Sequence, residues 1–212
     1  MSLFPIVAPG TDVWQSVNDI TGATVTLNPS DKNARMSLSN GDLTVAHDGT
    51  TNHAAVRATH GLDGGKSYYE MTISSTTGTP VNMGGWLDAG NNMADGSYLP
   101  IGCTVAIGWG YSSASHNIYG GGFSGPRSGY TQATLPNGTY GFAYDARGGH
   151  IWLRDNDGTW LIGDPSTGAL PLFTLTSAPN GGKLFPGCSH YYSSVVWTFN
   201  FGASAFSHSL PN

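Results

Sequence analysis

The segment from Thr139 to Gly168 alternates apolar and polar residues and breaks the alternation at short glycine-rich turns. The alternation runs through TYGFAYD, turns at Arg147-Gly148-Gly149, resumes in IWL and turns again at DNDG before Trp160. A period of two residues is typical of strands with one buried face. Turns of this length and composition connect antiparallel neighbours. The segment therefore predicts a β-meander.

The same pattern extends over most of the chain. An Asn40-Gly41-Asp42 turn separates the alternating segments MSLS and LTVAH, and a turn is also predicted at Asn28-Pro29-Ser30-Asp31. Residues 1–24 show little pattern apart from Trp14. They are interpreted as an N-terminal arm or edge element, or alternatively as an ordered strand of the same fold. Residues 25–212 form the predicted all-β domain.

The composition argues against two classes of partner. Only 10% of the residues are charged, and the formal net charge is −5 with eight lysines and arginines. A chain of this charge offers no basic face, so binding to nucleic acid is not expected. No apolar run reaches the length of a membrane span, so membrane insertion is not expected either.

The residues that could carry catalysis also have structural interpretations. Glu70 is the only glutamate, whereas most glycosidases need two carboxyl groups beside the scissile bond. Cys103 and Cys188 lie in strand-like runs; two buried thiols are expected, although a disulfide remains open. His190 lies two residues beyond Cys188, but no orienting partner is evident for a Cys-His pair. We therefore expect a protein that is not an enzyme.

Two acidic motifs are interpreted as turns. Asp155 and Asp157 could suggest calcium, but no glutamate follows at EF-hand spacing and a hairpin turn accounts for both residues. The GDPSTG run that begins at Gly163 lacks the lysine and the following helix of a phosphate loop. No metal and no cofactor are expected.

Several ordered motifs resemble the SPRY domain, in the version common in bacteriophage and prophage structural proteins. They are NPSDK before an Asn-Gly turn, GGKSYYEMTI from Gly64, CTVAIGWG from Cys103, and the closing run LFPGCSHYYSSVVWTFNFG from Leu184. The resemblance covers roughly residues 25–211. It implies a two-sheet antiparallel β-sandwich of the SPRY, concanavalin-like jelly-roll type, with a structural position for Glu70 and with first and last strands close together. We expect five aromatic side chains to be buried: Tyr69, Trp109, Trp152, Phe199 and Phe201.

Two segments depart from a minimal module of this kind. Residues 76–102 are rich in Gly, Asn and Asp, which predicts a long loop, and residues 111–130 mix Tyr, Ser, Gly, Asn and His. This composition is typical of binding loops, because aromatic rings give contact area at low entropic cost. Covering the edge of a sandwich is the alternative role. The predicted contact residues are Trp86, Tyr98, Tyr111, His116, Tyr119 and Arg127, with Tyr191 and Tyr192 as a neighbouring patch.

The resemblance implies a binding module rather than a catalyst. We expect a virion-associated protein (a head or tail fibre, spike or decoration) that contacts bacterial surface glycan or protein and is displayed in several copies. The expected location is the virion, and the expected partners include other virion proteins. The alternative is a structural or assembly protein whose loops contact neighbouring virion subunits.

Overall fold

Short strands build this chain, and they make two sheets. The computed structural model describes residues 13–50, 52–75, 82–90, 92–93, 106–112, 115–121, 137–191 and 195–212. Its strands are β1 (Trp14–Ser16), β2 (Leu27–Lys32), β3 (Met36–Ser39), β4 (Thr44–His47), β5 (His53–Ala58), β6 (Lys66–Ser75), β7 (Asn82–Asp88), β8 (Ala106–Ser112), β9 (Ser115–Gly121), β10 (Gly138–Asp145), β11 (His150–Arg154), β12 (Phe173–Thr174), β13 (Leu184–Tyr191) and β14 (Val196–Asn200). The described helices are α1 (Val17–Thr21) and one 3₁₀ turn, Asn180–Gly182. Neither has the length that crossing a bilayer requires.

The strands form two antiparallel sheets. The first sheet has the order β12-β11-β10-β6-β14-β4-β3, and β1 pairs in parallel with the first half of β6. The second sheet has the order β2-β5-β13-β7-β8-β9. Each sheet pairs strands from distant parts of the chain, such as β6 with β14 and β5 with β13, and the two sheets pack face to face around one apolar core. The predicted two-sheet β-sandwich is confirmed.

Aromatic side chains fill the space between the sheets. Tyr69 stacks on Phe142 with ring centroids 4.7 Å apart, and its hydroxyl donates a 2.5 Å hydrogen bond to the Gly85 carbonyl of the other sheet. Phe199 and Phe201 join this core, while Trp152 is buried in a second cluster on the outer face of the first sheet. Burial is thus confirmed for four of the five predicted aromatics. Trp109 lies in β8, but its side chain is outside the described residues.

The predicted turns have two different outcomes. Asn40, Gly41 and Asp42 all have positive φ and connect β3 to β4, as predicted. The turn predicted at Asn28–Asp31 is wrong as a boundary, because these residues lie inside β2. The β2–β5 register shifts there, and the Ser30 N–H bonds to the Asn28 side chain at 3.0 Å. The local turn chemistry therefore produces an irregularity within a strand, rather than its end.

Residues 14–21 are part of the sandwich. Trp14 is buried beside Trp152, with ring centroids 6.0 Å apart, and the Asn18 N–H donates to the Phe201 carbonyl at 2.9 Å. Ser16 caps α1 by accepting from the Asp19 N–H at 3.0 Å. For these residues the structure agrees with the ordered-strand alternative and places the first strand beside the closing segment. The division at residue 24 stays a prediction.

The long loop predicted for residues 76–102 contains a strand. β7 lies between β13 and β8, and its glycines hid the alternation because a residue without a side chain has no apolar or polar character. A Cβ at Gly84 would meet the Met71 sulfur at 2.5 Å and the Trp197 ring at 3.2 Å. Gly84 is therefore required by the close approach of the opposite sheet. The loop prediction is wrong for residues 82–88.

Candidate binding site at one end of the second sheet

Trp86 does not lie on an exposed loop. It is fully buried in β7, with its ring 5.1 Å from Tyr69 and 5.3 Å from Tyr144. An indole of this size stabilises a sandwich core when both sheets surround it. The prediction that Trp86 belongs to an exposed contact surface is therefore wrong.

Four other predicted contact residues lie in strands of the second sheet. Tyr111 is in β8, His116 and Tyr119 are in β9, and Tyr191 is in β13. Their backbone positions are described, but their side chains are not. The remaining three predicted residues, Tyr98, Arg127 and Tyr192, lie outside the described residues.

The register brings three of these positions to the same end of the sheet. Tyr111 pairs with His116 on one side and with Asn82 on the other, and Tyr191 pairs with His53. At this end β5, β7 and β9 begin while β8 and β13 end. We call it the Tyr111 end, defined by His53, Asn82, Tyr111, His116 and Tyr191. Tyr119 lies three residues further along β9, about 10 Å away.

The sequence interpretation missed two histidines near this end. His47 is the last residue of β4, and its ring has no exposed surface. The Gly49 N–H donates to its Nδ1 at 3.1 Å, so Nε2 carries the proton that bonds to the Asn52 carbonyl at 3.1 Å. His53 opens β5. The sequence did contain a signal for His47 and His53, because these two histidines lie six residues apart and flank the Asp48–Asn52 connection.

These histidines are held neutral by burial. Burial lowers the pKa of His47, although the nearby Asp48 carboxylate acts in the opposite direction. Burial, together with the charge of His47, lowers the pKa of His53 to about 4. The same two causes lower the pKa of His190, which is fully buried in β13, to about 3. A charge on His47 would therefore disfavour protonation of both other rings.

His190 is a core residue. Its ring meets Trp197 edge-to-face with centroids 4.3 Å apart. Neither ring nitrogen has a hydrogen-bond partner in the part of the chain that the structure describes. Cys188 is a free, buried thiol on the same strand, and burial raises its pKa far above the usual range. A buried thiol of raised pKa is a poor nucleophile, so this pair does not have the character of a Cys-His catalytic site. Cys103 lies outside the described residues.

The acidic side chains considered for catalysis or metal binding have backbone partners. Asp157 accepts from the Thr159 N–H at 2.8 Å, and Asp155 accepts from the Asn156 N–H at 2.7 Å. Glu70 is 2% exposed and accepts from the Ser207 and His208 N–H groups at 2.7 and 2.8 Å. These contacts agree with the structural role predicted for Glu70 and with the turn interpretation of the aspartates. Within the described residues, no three acidic, His or Cys side chains come together as a metal site.

Comparison with known proteins supports the fold. No family model matches this chain, and no curated protein matches it. Among solved structures, it is similar to the SPRY domain of human HERC1, with a TM-score of 0.56 and 17% sequence identity. The match covers 84% of this chain and 99% of that chain. The fold of this chain is thus the fold of a SPRY domain.

Proposed function

We propose that this chain is a non-catalytic binding module of a phage particle, and that the Tyr111 end contacts bacterial surface glycan or protein. The observation that carries the proposal is the gathering of Tyr111, His116 and Tyr191 at one end of a SPRY-type sandwich. A rigid sheet that presents variable residues at its end is a common arrangement for recognition sites. The predicted residues Tyr98, Arg127 and Tyr192 belong to the same proposed surface.

The carboxylates support binding over glycan hydrolysis. Asp88 accepts from the Gly90 and Asn180 N–H groups at 3.0 and 3.1 Å, so both of its oxygens have backbone partners. Glu70 is likewise bound through both oxygens. A hydrolase needs a proton donor and a second carboxylate that are free to act on the substrate. These two groups instead hold the fold together.

The chemistry of the Tyr111 end suits a weak, repeated contact. Flat aromatic rings stack on sugar faces and on peptide bonds, and tyrosine adds a hydroxyl that forms hydrogen bonds. One such site binds weakly, but several copies on a symmetric particle gain avidity through effective concentration. We therefore propose the virion as the location, with display in several copies beside other virion proteins.

Binding can be tested with the biotinylated full chain, either as a monomer or assembled on tetrameric streptavidin. Both forms are applied to a bacterial glycan array and to a panel of bacterial cells. We expect the tetramer to bind and the monomer to bind far more weakly. Tyr111→Ala and Tyr191→Ala should each reduce tetramer binding while the melting curve is retained. The matched control is Leu170→Ala. Leu170 is exposed and lies between β11 and β12 of the first sheet, so this variant should bind like the parent.

Two outcomes would contradict the proposal. If both tyrosine variants fold and bind like the parent, the contact surface lies elsewhere. If the tetramer binds no array or cell but associates with purified virion proteins, the assembly alternative replaces host recognition.

A further inference from the structure

The outer face of the first sheet carries a groove that residues 206–211 occupy. We call residues 206–211 the strap. The groove is lined by the aromatic side chains of Trp14, Tyr68, Trp152 and Trp160 and by the charged side chains of Glu70 and Arg154. Phe206 meets the Tyr68 ring edge-to-face with centroids 5.0 Å apart. Leu210 packs against the same cluster, so the strap places an apolar side chain near each of its ends. The two apolar contacts are separated by three residues that bind through polar groups.

The groove binds the strap largely through its backbone. The buried Glu70 carboxylate accepts from two successive N–H groups, those of Ser207 and His208, at 2.7 and 2.8 Å. Arg154 donates from Nη1 to the Ser209 carbonyl at 2.6 Å. The His208 ring adds a 3.1 Å hydrogen bond from Nε2 to the Thr139 carbonyl. Hydrogen bonds with a charged partner are stronger than neutral ones, and here they bind backbone groups of a segment that bends at Ser207 and His208.

The groove side chains are themselves held in place. The Arg154 guanidinium lies 4.1 Å from the Trp160 ring centroid and 5.6 Å from that of Tyr68. The Tyr68 hydroxyl donates to Glu70 at 3.1 Å. A site whose acceptor and donor are fixed by aromatic neighbours loses little side-chain entropy on binding. This organisation belongs to the sheet and not to the strap.

An exposed linker joins the strap to the sheet. Residues 203–205 are exposed, and the Asn200 side chain donates to the carbonyls of Ser204 and Ala205 at 3.2 and 3.1 Å. The linker therefore contacts the protein surface lightly, whereas the residues on both sides of it are bound. A lightly held connection between two bound segments is the arrangement from which identical elements exchange between copies.

We propose that the groove is a peptide-binding site and that a second copy of this chain can supply its occupant. The strap of the second copy offers the same Phe206 and Leu210 side chains and the same backbone groups. All contacts described above can therefore form between copies. Within one copy the short linker keeps the strap at an effective concentration in the millimolar range, so its own strap competes with the incoming one. This inference is independent of the function proposed for the Tyr111 end.

A fluorescent peptide with the sequence of residues 203–212, ASAFSHSLPN, serves as the probe. The receptor is the full chain with Phe206→Ala and Leu210→Ala, which removes the apolar contacts of its own strap and changes no residue of the groove. We expect saturable binding to this receptor, and binding to the parent chain that is weaker by roughly ten-fold or more because the parent's strap competes. The matched control peptide, with Ala at both apolar positions, should not bind. Glu70→Gln in the receptor should weaken binding.

Amide exchange of the parent chain keeps the proposal testable if the receptor does not fold. If the strap is a separable ligand, the Ser207 and His208 amides exchange through a local opening that leaves β6 protected. Faster exchange of these two amides than of the β6 core amides is the expected result. Exchange of both sets at one common rate would show that the strap is integral to the fold and would overturn the proposal. A folded receptor that shows no peptide binding up to about 1 mM would overturn it equally.

Discussion

The Glu70 carboxylate accepts a 2.7 Å hydrogen bond from the backbone N–H of Ser207, which lies 137 positions further along the chain. This contact ties the strap to the central strand of the first sheet. Glu70 is nearly inaccessible to solvent, so its carboxylate oxygens depend on protein donors for their hydrogen bonds. The only glutamate of the chain thus fixes the strap on the outer face of the first sheet.

Replacing Glu70 should therefore reduce stability. Glu70→Gln leaves one acceptor oxygen and places an amide N–H₂ near backbone donors, so we expect a loss of about 2 kcal/mol in the free energy of unfolding. This corresponds to a fall in Tm of roughly 4–8 °C for a chain of this size. Thermal unfolding followed by circular dichroism measures the change. The control is Asp63→Asn, whose ion pair with Lys183 is exposed and should contribute little. Equal Tm values for the two variants would contradict the role given to Glu70.

Acid should destabilise the fold through the histidines. His190 and His53 have folded pKa values of about 3 and about 4, while an unfolded histidine titrates near its ordinary value of 6.5. The unfolded state therefore binds more protons below pH 6.5, and the free energy of unfolding falls as the pH decreases from there toward 3–4. Each histidine that stays neutral in the folded state adds up to about 1.4 kcal/mol per pH unit to the slope of the free energy of unfolding against pH.

Urea unfolding between pH 7 and pH 4.5 tests this dependence. We expect His190→Gln to reduce the slope, because it removes one ionisable group whose charged form the core disfavours. His60→Gln, at an exposed position, is the matched control. A slope that is the same in parent and His190→Gln would show that His190 is not linked to acid unfolding.

Two glycines with positive φ should respond differently to alanine. Gly22 ends α1 with φ +64° and has open space where a Cβ would lie. Gly202 has φ +108°, and a Cβ there would clash with the side chain of Ser16. Gly22→Ala should cost about 1 kcal/mol for the left-handed conformation, and Gly202→Ala should cost clearly more, since strain and overlap both act. Chemical denaturation of both variants decides the order, and similar costs would contradict it.

The Cys188 thiol should be protected in the native state. It is buried, and burial raises its pKa well above the usual range, so the reactive thiolate is disfavoured. Iodoacetamide labelling followed by mass spectrometry of the peptide that contains Cys188 should show modification only when denaturant unfolds the chain. Rapid labelling of Cys188 under native conditions would contradict the burial seen in β13.

The sequence alone determined the fold class, because its signals are local. The strand-forming runs of β10 and β11 and the turn at Asn40-Gly41 depend on neighbouring residues, and the structure has both strands and the turn where the sequence predicts them. The alternation did not predict burial, because residues on both faces of β10 and β11 are buried. Local signals misled where glycine removed the pattern, as at Gly84 in β7. They also misled where a turn-forming run became an irregular strand, as at Asn28–Asp31.

Only the tertiary structure decided which residues meet. Trp86 lies in a Gly- and Asn-rich segment, which led to its prediction as a contact residue, yet two sheets enclose it. Its burial depends on partners such as Tyr69 and Tyr144, which lie far from it in sequence. Nothing local indicated that Glu70 would bind the Ser207 N–H, or that His53 and Tyr191 would pair at one end of a sheet. Strand order sets these contacts, and strand order arises from long-range pairing that a linear pattern does not encode.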